Sequence, residues 1–308
     1  MPTYLYLGGM SGVSSSVAVM ARLTGNPRLA RTARLAAAVG ASAGAALLAA
    51  ELGRPERFLN MLRVFKPTSP MSVGSWILAA QSGLSAVAAS SDLARSRLQH
   101  PRDRLRRPRV RALTCGDLRF LPAVVSSDLA GFLSAAGDAA LLATALTGPL
   151  TATYTAVLIA DTAVPAWHEA YRELPFLFAG SAMAAAGAVA MLGTPRAEAG
   201  PARTVAALGA ALETVAGTVM ERRLGMVGRP YREGRAGRLL GTARMLTAGG
   251  GLLATVAGRS RVLTALSGLA LTAGSLCTRF GILAAGRASA ADPAYTIVPQ
   301  RERLSAGS

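Results

Sequence analysis

Apolar residues occur along this chain in long blocks, and most of the charged residues lie between the blocks. An α-helix needs about 20 apolar residues to cross the hydrocarbon core of a bilayer, and the blocks have about this length. We therefore predict an all-α, polytopic membrane protein with about eight transmembrane helices. The predicted spans are 4–22, 30–51, 73–90, 135–160, 174–192, 204–220, 238–257 and 262–285.

Composition agrees with helices that pack inside a membrane. Hydrophobic residues make up 51% of the chain and charged residues 16%, and the mean hydropathy is +0.37. Many of the apolar positions are alanine or glycine, and small residues let membrane helices approach closely. The alternative is an alanine-rich soluble helical protein. The low charged fraction disfavours it, as do the glycine-rich helices, which are unstable in water.

The formal charge is +17, and Lys66 is the one lysine beside many arginines. These arginines lie between apolar spans without interleaved aromatic residues, so the charge indicates loops that meet anionic lipid rather than nucleic acid. The strongly basic stretch 91–119 is predicted to be an exposed loop. A small excess of basic residues on the side away from the termini places the termini on the outer side.

Residues that hold redox cofactors are few. The two cysteines form no Cys-x-x-Cys motif, which predicts that this chain carries no iron–sulfur cluster of its own. Both histidines, His100 and His168, fall outside the predicted spans. A haem buried in a helical bundle needs axial histidines on facing helices, so we expect no haem and no metal site.

Charge and helix-breaking residues are concentrated between the second and third predicted spans. Glu51 ends an apolar block, and Arg54 and Arg57 follow within two turns. Such a carboxylate can stay ionised or exchange a proton. Thr68 and Ser69 can cap the next helix, which would aim its free backbone N–H groups at this loop. An ordinary capped loop with charges facing lipid headgroups explains the same residues equally well.

Ionisable residues inside the predicted spans are functional candidates, since a bare charge at membrane depth costs at least about 2.5–3.5 kcal/mol. Asp138, Glu213, Arg244 and Arg279 fall in this class. We favour a structural Glu213–Arg244 pair, and Arg279 lies close enough to a predicted span end to snorkel. The hydroxyl of Tyr154 has two equal interpretations, a bond to a ligand carbonyl or to neighbouring backbone.

The first span contains a run of small residues that includes Gly8 and Gly9. Such a run is normally a face for close helix packing. The same lack of side chains could leave room for a flat ring.

Several short motifs, taken together, resemble one family. They are Tyr-Leu-Gly-Gly at 6–9, Leu-Gly-Arg-Pro-Glu-Arg-Phe at 52–58, Pro-Thr-Ser-Pro-Met-Ser at 67–72, Tyr-Thr-Ala-Val-Leu at 154–158, Pro-Ala-Trp at 165–167, Thr-Arg-Phe-Gly at 278–281 and the segment 292–301. With them the chain resembles the polysulfide reductase membrane-subunit family, often called NrfD-like. Relatives often have aspartate where this chain has Glu51, so the carboxylate is kept but displaced by one methylene.

The resemblance implies a fold, a role and partners. It implies two four-helix bundles, at 1–160 and 161–286, and a polar tail at 287–308. The first bundle would contain the quinone-site loop 51–72 and the basic loop 91–119. Such proteins are multi-pass subunits in the plasma membrane of prokaryotes that exchange electrons with menaquinone or ubiquinone. Electrons pass to or from a ferredoxin-like iron–sulfur subunit, which joins a molybdenum or tungsten bis-pterin catalytic subunit.

The resemblance also implies roles for individual residues. The quinone would bind near Gly8, Gly9, Thr68, Ser69 and Tyr154. The accompanying proton would be handled by Glu51, Arg54 and Arg57. The partner would be faced by Arg63, Lys66 and Arg279.

Two other functions stay open. A pure membrane anchor would tether a partner without touching quinone. A proton-coupled transporter would use Asp138, Glu213 and Arg244, and it predicts inverted repeats, of which the sequence shows no convincing example.

Overall fold

The computed structural model describes residues 1–51, 62–63, 65–105 and 120–306. Within them the chain is helical and contains no β-strand. The helices are α1 (Pro2–Leu23), α2 (Pro27–Glu51), α3 (Pro70–Leu105), α4 (Phe120–Ala160), α5 (Pro165–Glu169), α6 (Leu174–Gly193), α7 (Gly200–Arg223), α8 (Arg229–Arg232), α9 (Gly234–Val256), α10 (Arg261–Ala291) and α11 (Ala294–Ala306).

Several long helices have the length and composition of membrane spans. In the described part of the chain these are α2, the second part of α4 (Ala135–Ala160), α6, α9 with the following 3-10 turn (Gly234–Arg259), and α10. The prediction of a multi-pass membrane protein is thus confirmed. The remaining predicted spans lie within α1, α3 and α7, and the full count of eight stays a prediction.

Two segments predicted as a basic loop and a polar tail are largely helical where the structure describes them. Helix α3 extends into the predicted loop because residues 91–100 contain strong helix formers and neither glycine nor proline, and it continues through Pro101 to Leu105. Helix α10 extends to Ala291 through an alanine-rich stretch, and α11 then occupies most of the predicted tail. The rest of the predicted basic loop, 106–119, lies outside the described residues.

Helix α1 packs against α2 and α4, and α3 packs against α4. Glycine permits the closest approach, because a Cβ atom on Gly12 of α1 would lie 2.4 Å from the carbonyl oxygen of Gly148 on α4. Deeper polar contacts reinforce this packing. The fully buried Gln81 of α3 donates to Ser15 Oγ of α1 (2.7 Å) and accepts from Thr147 Oγ1 of α4 (2.5 Å).

The second group of helices contains α6, α7, α9 and α10, and α6 also contacts α1, α2 and α4. Here too glycine allows close contact: a Cβ atom on Gly180 would lie 2.5 Å from the backbone nitrogen of Glu213. The short helices attach to the same group. Trp167 of α5 donates from Nε1 to the carbonyl oxygen of Ile282 (2.8 Å), and Tyr231 of α8 donates to that of Ala166 (2.9 Å).

Candidate functional site

The ring of Tyr154 lies directly against the backbone of α3. A Cβ atom on Gly74 would overlap it, at 1.6 Å from Cζ and 2.0 Å from Oη of Tyr154. Because Gly74 is the fifth residue of α3, the tyrosine hydroxyl lies beside the first turns of that helix. The backbone N–H groups of a first helical turn have no partner within the helix, so the hydroxyl and these donors lie in one region.

One face of helix α1, which contains Tyr4 and Gly8, lies in the same region. Tyr4 lies within electrostatic range of Tyr154, and Gly8 follows Tyr4 by four residues, on the same face of α1. Gly8 is buried, yet outside its own stretch of helix no described atom lies within 4 Å of the point where its Cβ would be. The position beside the backbone of α1 at Gly8 is therefore free of described protein atoms.

The segment before α3 is tied to the first turn of that helix by hydrogen bonds of its backbone. Ser69 precedes α3, and its carbonyl oxygen accepts from the N–H of Val73 (3.0 Å). Ser72 was not singled out from the sequence. Its Oγ accepts from the N–H of Lys66 (3.0 Å) and so ties the loop to the first turn of α3. Thr68 is exposed in this loop.

Glu51 ends α2 and forms an ion pair with the amino group of Met1. The carboxylate side chain is 37% exposed, so it lies at the surface, at the end of the protein where α1 begins. Arg54 and Arg57, predicted to assist it, lie outside the described residues. Of the residues predicted to face a partner, Arg63 and Lys66 are both exposed.

Gly9 and Arg279 differ from their predicted positions. Arg279 is 1% exposed rather than partner-facing, because α10 continues for three turns beyond it. Its guanidinium Cζ lies 3.7 Å from the centre of the Phe178 ring, and Nη2 donates to the Phe178 carbonyl oxygen (3.0 Å). Gly9 lies against this group, since a Cβ atom on it would be 3.1 Å from Ala182 Cβ and 3.4 Å from Arg279 Nη2. The space at Gly9 is therefore filled by protein.

Glu213 lies close to Arg279 but does not pair with Arg244 as predicted. Arg244 instead forms an ion pair with Glu221, two turns further along α7. Glu213 accepts a hydrogen bond from Thr278, and its Oε2 has no partner within hydrogen-bond distance among the described atoms. A cavity of about 30 Å³ extends from Glu213 to the Glu221–Arg244 pair. This volume can hold one or two water molecules.

Asp138, the other carboxylate predicted at membrane depth, lies beside Arg22 at the end of α1. The guanidinium Nη2 donates to Asp138 Oδ2 at 2.5 Å, and the aspartate side chain is 30% exposed. Two of the three residues considered for a transporter thus form ion pairs that are partly exposed, and they lie in different helix groups.

Comparison with known protein families shows to which family this chain belongs. Residues 1–219 match the family described as polysulphide reductase, NrfD. The chain belongs to this family. The match includes α1 to α4, and with them Gly8, Ser69 and Tyr154, so the family resemblance found in the sequence is confirmed. NrfD membership indicates a membrane subunit of a multi-subunit redox complex. The motifs at 278–281 and 292–301 lie beyond the matched region. No curated protein matches the chain.

Proposed function

We propose that this NrfD-family chain exchanges electrons between the membrane quinone pool and an iron–sulfur partner subunit. One observation supports the proposal most directly. The Tyr154 hydroxyl is held beside the start of α3 by contact with Gly74, close to the open face of α1 at Gly8. We also infer eight spans in two four-helix bundles, α1 to α4 and α6, α7, α9 and α10, since the helices pack mainly within these groups.

The residues in this region fit a quinone headgroup. A quinone presents a flat ring with carbonyl oxygens, which are hydrogen-bond acceptors. Tyr154 supplies a hydroxyl donor, and the first turn of α3 supplies backbone N–H donors and the positive end of a helix dipole. Gly8 has no side chain and leaves open space beside α1, toward which the ring would extend.

When bound, a quinone supplies two-electron redox chemistry that is coupled to protons. The chain's own residues bind and orient it. Tyr154 fixes the direction of a carbonyl because its own ring cannot move toward α3. The proposed role of Glu51 is to handle the accompanying proton, and its ion pair with the Met1 amino group holds the carboxylate in place at the surface.

The same end of the protein presents positive charge to a partner. Arg63 and Lys66 are exposed in the segment before α3, and complementary charges steer and orient association. We propose that a ferredoxin-like iron–sulfur subunit docks here, with a molybdenum or tungsten bis-pterin catalytic subunit beyond it. Its clusters would then lie on the side of the membrane nearest Tyr154.

The test uses the complex purified in mild detergent through a tag on this chain. Co-purifying proteins and quinone are identified, and reduction or oxidation of the clusters by added quinol or quinone is followed spectroscopically. Tyr154→Phe removes only the hydroxyl, and Tyr171→Phe is the control because Tyr171 is exposed in the loop before α6. We expect quinone-dependent cluster turnover that falls about tenfold or more in Tyr154→Phe alone, the loss of one well-placed hydrogen bond.

Other outcomes separate the alternatives. A cluster-bearing partner that co-purifies but shows no turnover with quinone would make the chain a bare anchor. A folded preparation with neither partner nor quinone would overturn the redox function and favour a transporter.

A further inference from the structure

A large cleft lies between the beginning of α9, the end of α10 and the start of α11. Its volume is about 680 Å³, within the range of small-molecule sites. Helices α9 and α10 both have the length and composition of membrane spans. Because the cleft lies where α9 begins and α10 ends, it would be level with one edge of the membrane.

The floor of this cleft is apolar. Leu239 of α9 contributes to it, together with Phe280, Leu283 and Ala284 of α10. Leu283 and Ala284 follow Phe280 by three and four residues, so the three lie on one face of α10. Phe280 is 41% exposed although it is a large aromatic residue. The floor therefore offers a surface for a hydrocarbon chain.

The rim of the cleft is charged. Arg235 and Arg287 line it and are both exposed. In the described part of the chain neither guanidinium belongs to an ion pair. Arg287 follows Phe280 by seven residues, or about 10.5 Å along the helix axis. This separation resembles the distance between a phospholipid phosphate and its upper acyl carbons.

Acidic groups on the rim balance this positive charge. Glu233 lines the cleft beside Arg235, is exposed, and has no ion-pair partner among the described residues. Asp292 also lines it, with one carboxylate oxygen accepting from the N–H of Ala294 (2.9 Å). The rim thus offers donors for a phosphate and acceptors for an ammonium group, with no surplus of either charge.

We propose that this cleft binds a zwitterionic phospholipid of the phosphatidylethanolamine class. The phosphate lies between Arg235 and Arg287, because guanidinium groups form paired hydrogen bonds with phosphate oxygens. The ammonium group lies at Glu233, and an acyl chain lies along Phe280 and Leu283. Charge balance at the rim favours this lipid over an anionic one, and the paired arginines favour a phosphate over an uncharged quinone ring.

The test is native mass spectrometry of the purified protein, followed by titration with short-chain phosphatidylethanolamine and phosphatidylglycerol. The variant is Arg235→Ala/Arg287→Ala. The control Arg222→Ala/Arg261→Ala removes the same charge from two exposed arginines outside the cleft. We expect one tightly bound phosphatidylethanolamine on the wild type and the control. We expect affinity at least about tenfold weaker in the cleft variant, since each arginine removed costs charge-assisted hydrogen bonds.

A second variant tests the headgroup assignment. Glu233→Gln should weaken binding of phosphatidylethanolamine and leave phosphatidylglycerol binding unchanged or stronger. The proposal is overturned by equal affinity for the two lipids in the wild type, by a bound quinone that the arginine variant releases, or by lipid retention that the arginine variant does not alter.

A third variant keeps the test valid if the double substitution does not fold. Arg287→Lys keeps the positive charge and loses the planar pair of donors. We expect it to fold like the wild type and to bind phosphatidylethanolamine more weakly. Unchanged affinity in Arg287→Lys would also contradict the proposal.

Discussion

The ring of Tyr154 occupies the space that a side chain at Gly74 would need, since a Cβ atom there would lie only 1.6 Å from Cζ of the tyrosine. The two residues belong to different helices, α4 and α3. The absence of a side chain at Gly74 therefore sets the position of the tyrosine hydroxyl, and a side chain added there would displace the ring.

We expect Gly74→Ala to push the Tyr154 ring away from α3. Overpacking of this kind costs about 1–3 kcal/mol of stability, and the hydroxyl should lose its place beside the first turn of α3. The expected result is a lower unfolding temperature in detergent, with quinone turnover reduced as in Tyr154→Phe. Gly83→Ala is the matched control, because Gly83 lies on the same helix with no described atom within 4 Å of its Cβ position.

A double variant identifies the cause. If the methyl group acts through the ring, Gly74→Ala should cost almost nothing in stability once Tyr154→Ala has removed that ring. An undiminished cost in the double variant would show that α3 is disturbed in another way.

The sequence predicts the helices of this protein well, because apolar blocks separated by charge leave little choice of where a chain enters a membrane. It also singles out Tyr154, Gly8 and the segment before α3, and their role at a quinone stays a prediction. It cannot identify Gly74, since a lone glycine in a helix has no local signature. The Tyr154 contact depends on how α3 and α4 pack.

Two charged residues show a different limit of the sequence. Arg279 lies near the end of the predicted apolar block, but the helix continues to Ala291 and leaves the guanidinium deep inside. Arg244 pairs with Glu221 and not with Glu213. These glutamates share a face of α7. Which of them Arg244 meets depends only on how far α9 is shifted along its axis relative to α7.

The glycines of α1 should divide into two classes. Gly12→Ala places a methyl group 2.4 Å from the carbonyl oxygen of Gly148, and backbone cannot turn away as a flexible side chain does. We expect α1 and α4 to separate slightly, at a cost of about 1–3 kcal/mol. Gly8→Ala meets open space, so its stability should match or slightly exceed that of the wild type, since alanine favours helix.

Quinone binding should respond to changes at Gly8 and not to changes at Gly12, the reverse of the effect on stability. Gly8→Leu fills the open face and should weaken quinone binding, measured by the concentration of quinol that gives half-maximal cluster reduction. Gly12→Ala should leave that concentration nearly unchanged in the protein that remains folded. A normal quinol response in Gly8→Leu would place the ligand elsewhere.

Glu213 of α7 and Arg279 of α10 are both buried ionisable residues, and they lie close enough for the charge of one to affect the other. Removing one partner leaves the other without compensation, which costs about 3–5 kcal/mol for a buried pair. We therefore expect Arg279→Leu to lower the unfolding temperature strongly. The double variant Arg279→Leu/Glu213→Gln should recover a large part of the loss, because it leaves no uncompensated charge.

The single variant Glu213→Gln completes a double-mutant cycle with Arg279→Leu and the double variant. Its amide oxygen can still accept a hydrogen bond from Thr278. Additive effects of the two single changes would show that the charges do not interact. The cation–π contact between Arg279 and Phe178 would then account for the cost of Arg279→Leu.

Arg223 at the end of α7 holds the turn before α6. Its Nη2 donates to Glu173 Oε2 at 2.7 Å, and a further bond reaches the carbonyl oxygen of Glu169. The hydrogen bond to Glu173 raises the pKa of Arg223 above its ordinary value, so the guanidinium stays charged at every pH at which the protein is handled. Glu173 is only 8% exposed, and Arg223→Ala would leave that carboxylate without this partner.

We expect Arg223→Ala to lower the free energy of unfolding by about 1 kcal/mol, since the arginine itself is partly exposed. Arg222→Ala is the control, because Arg222 is the adjacent residue of the same type and is exposed. Thermal unfolding in detergent should separate the two variants, with Arg222→Ala close to the wild type. Equal shifts of the unfolding temperature in both variants would contradict a role for the bond to Glu173. The effect would then come from the loss of a positive charge at the negative end of the α7 dipole.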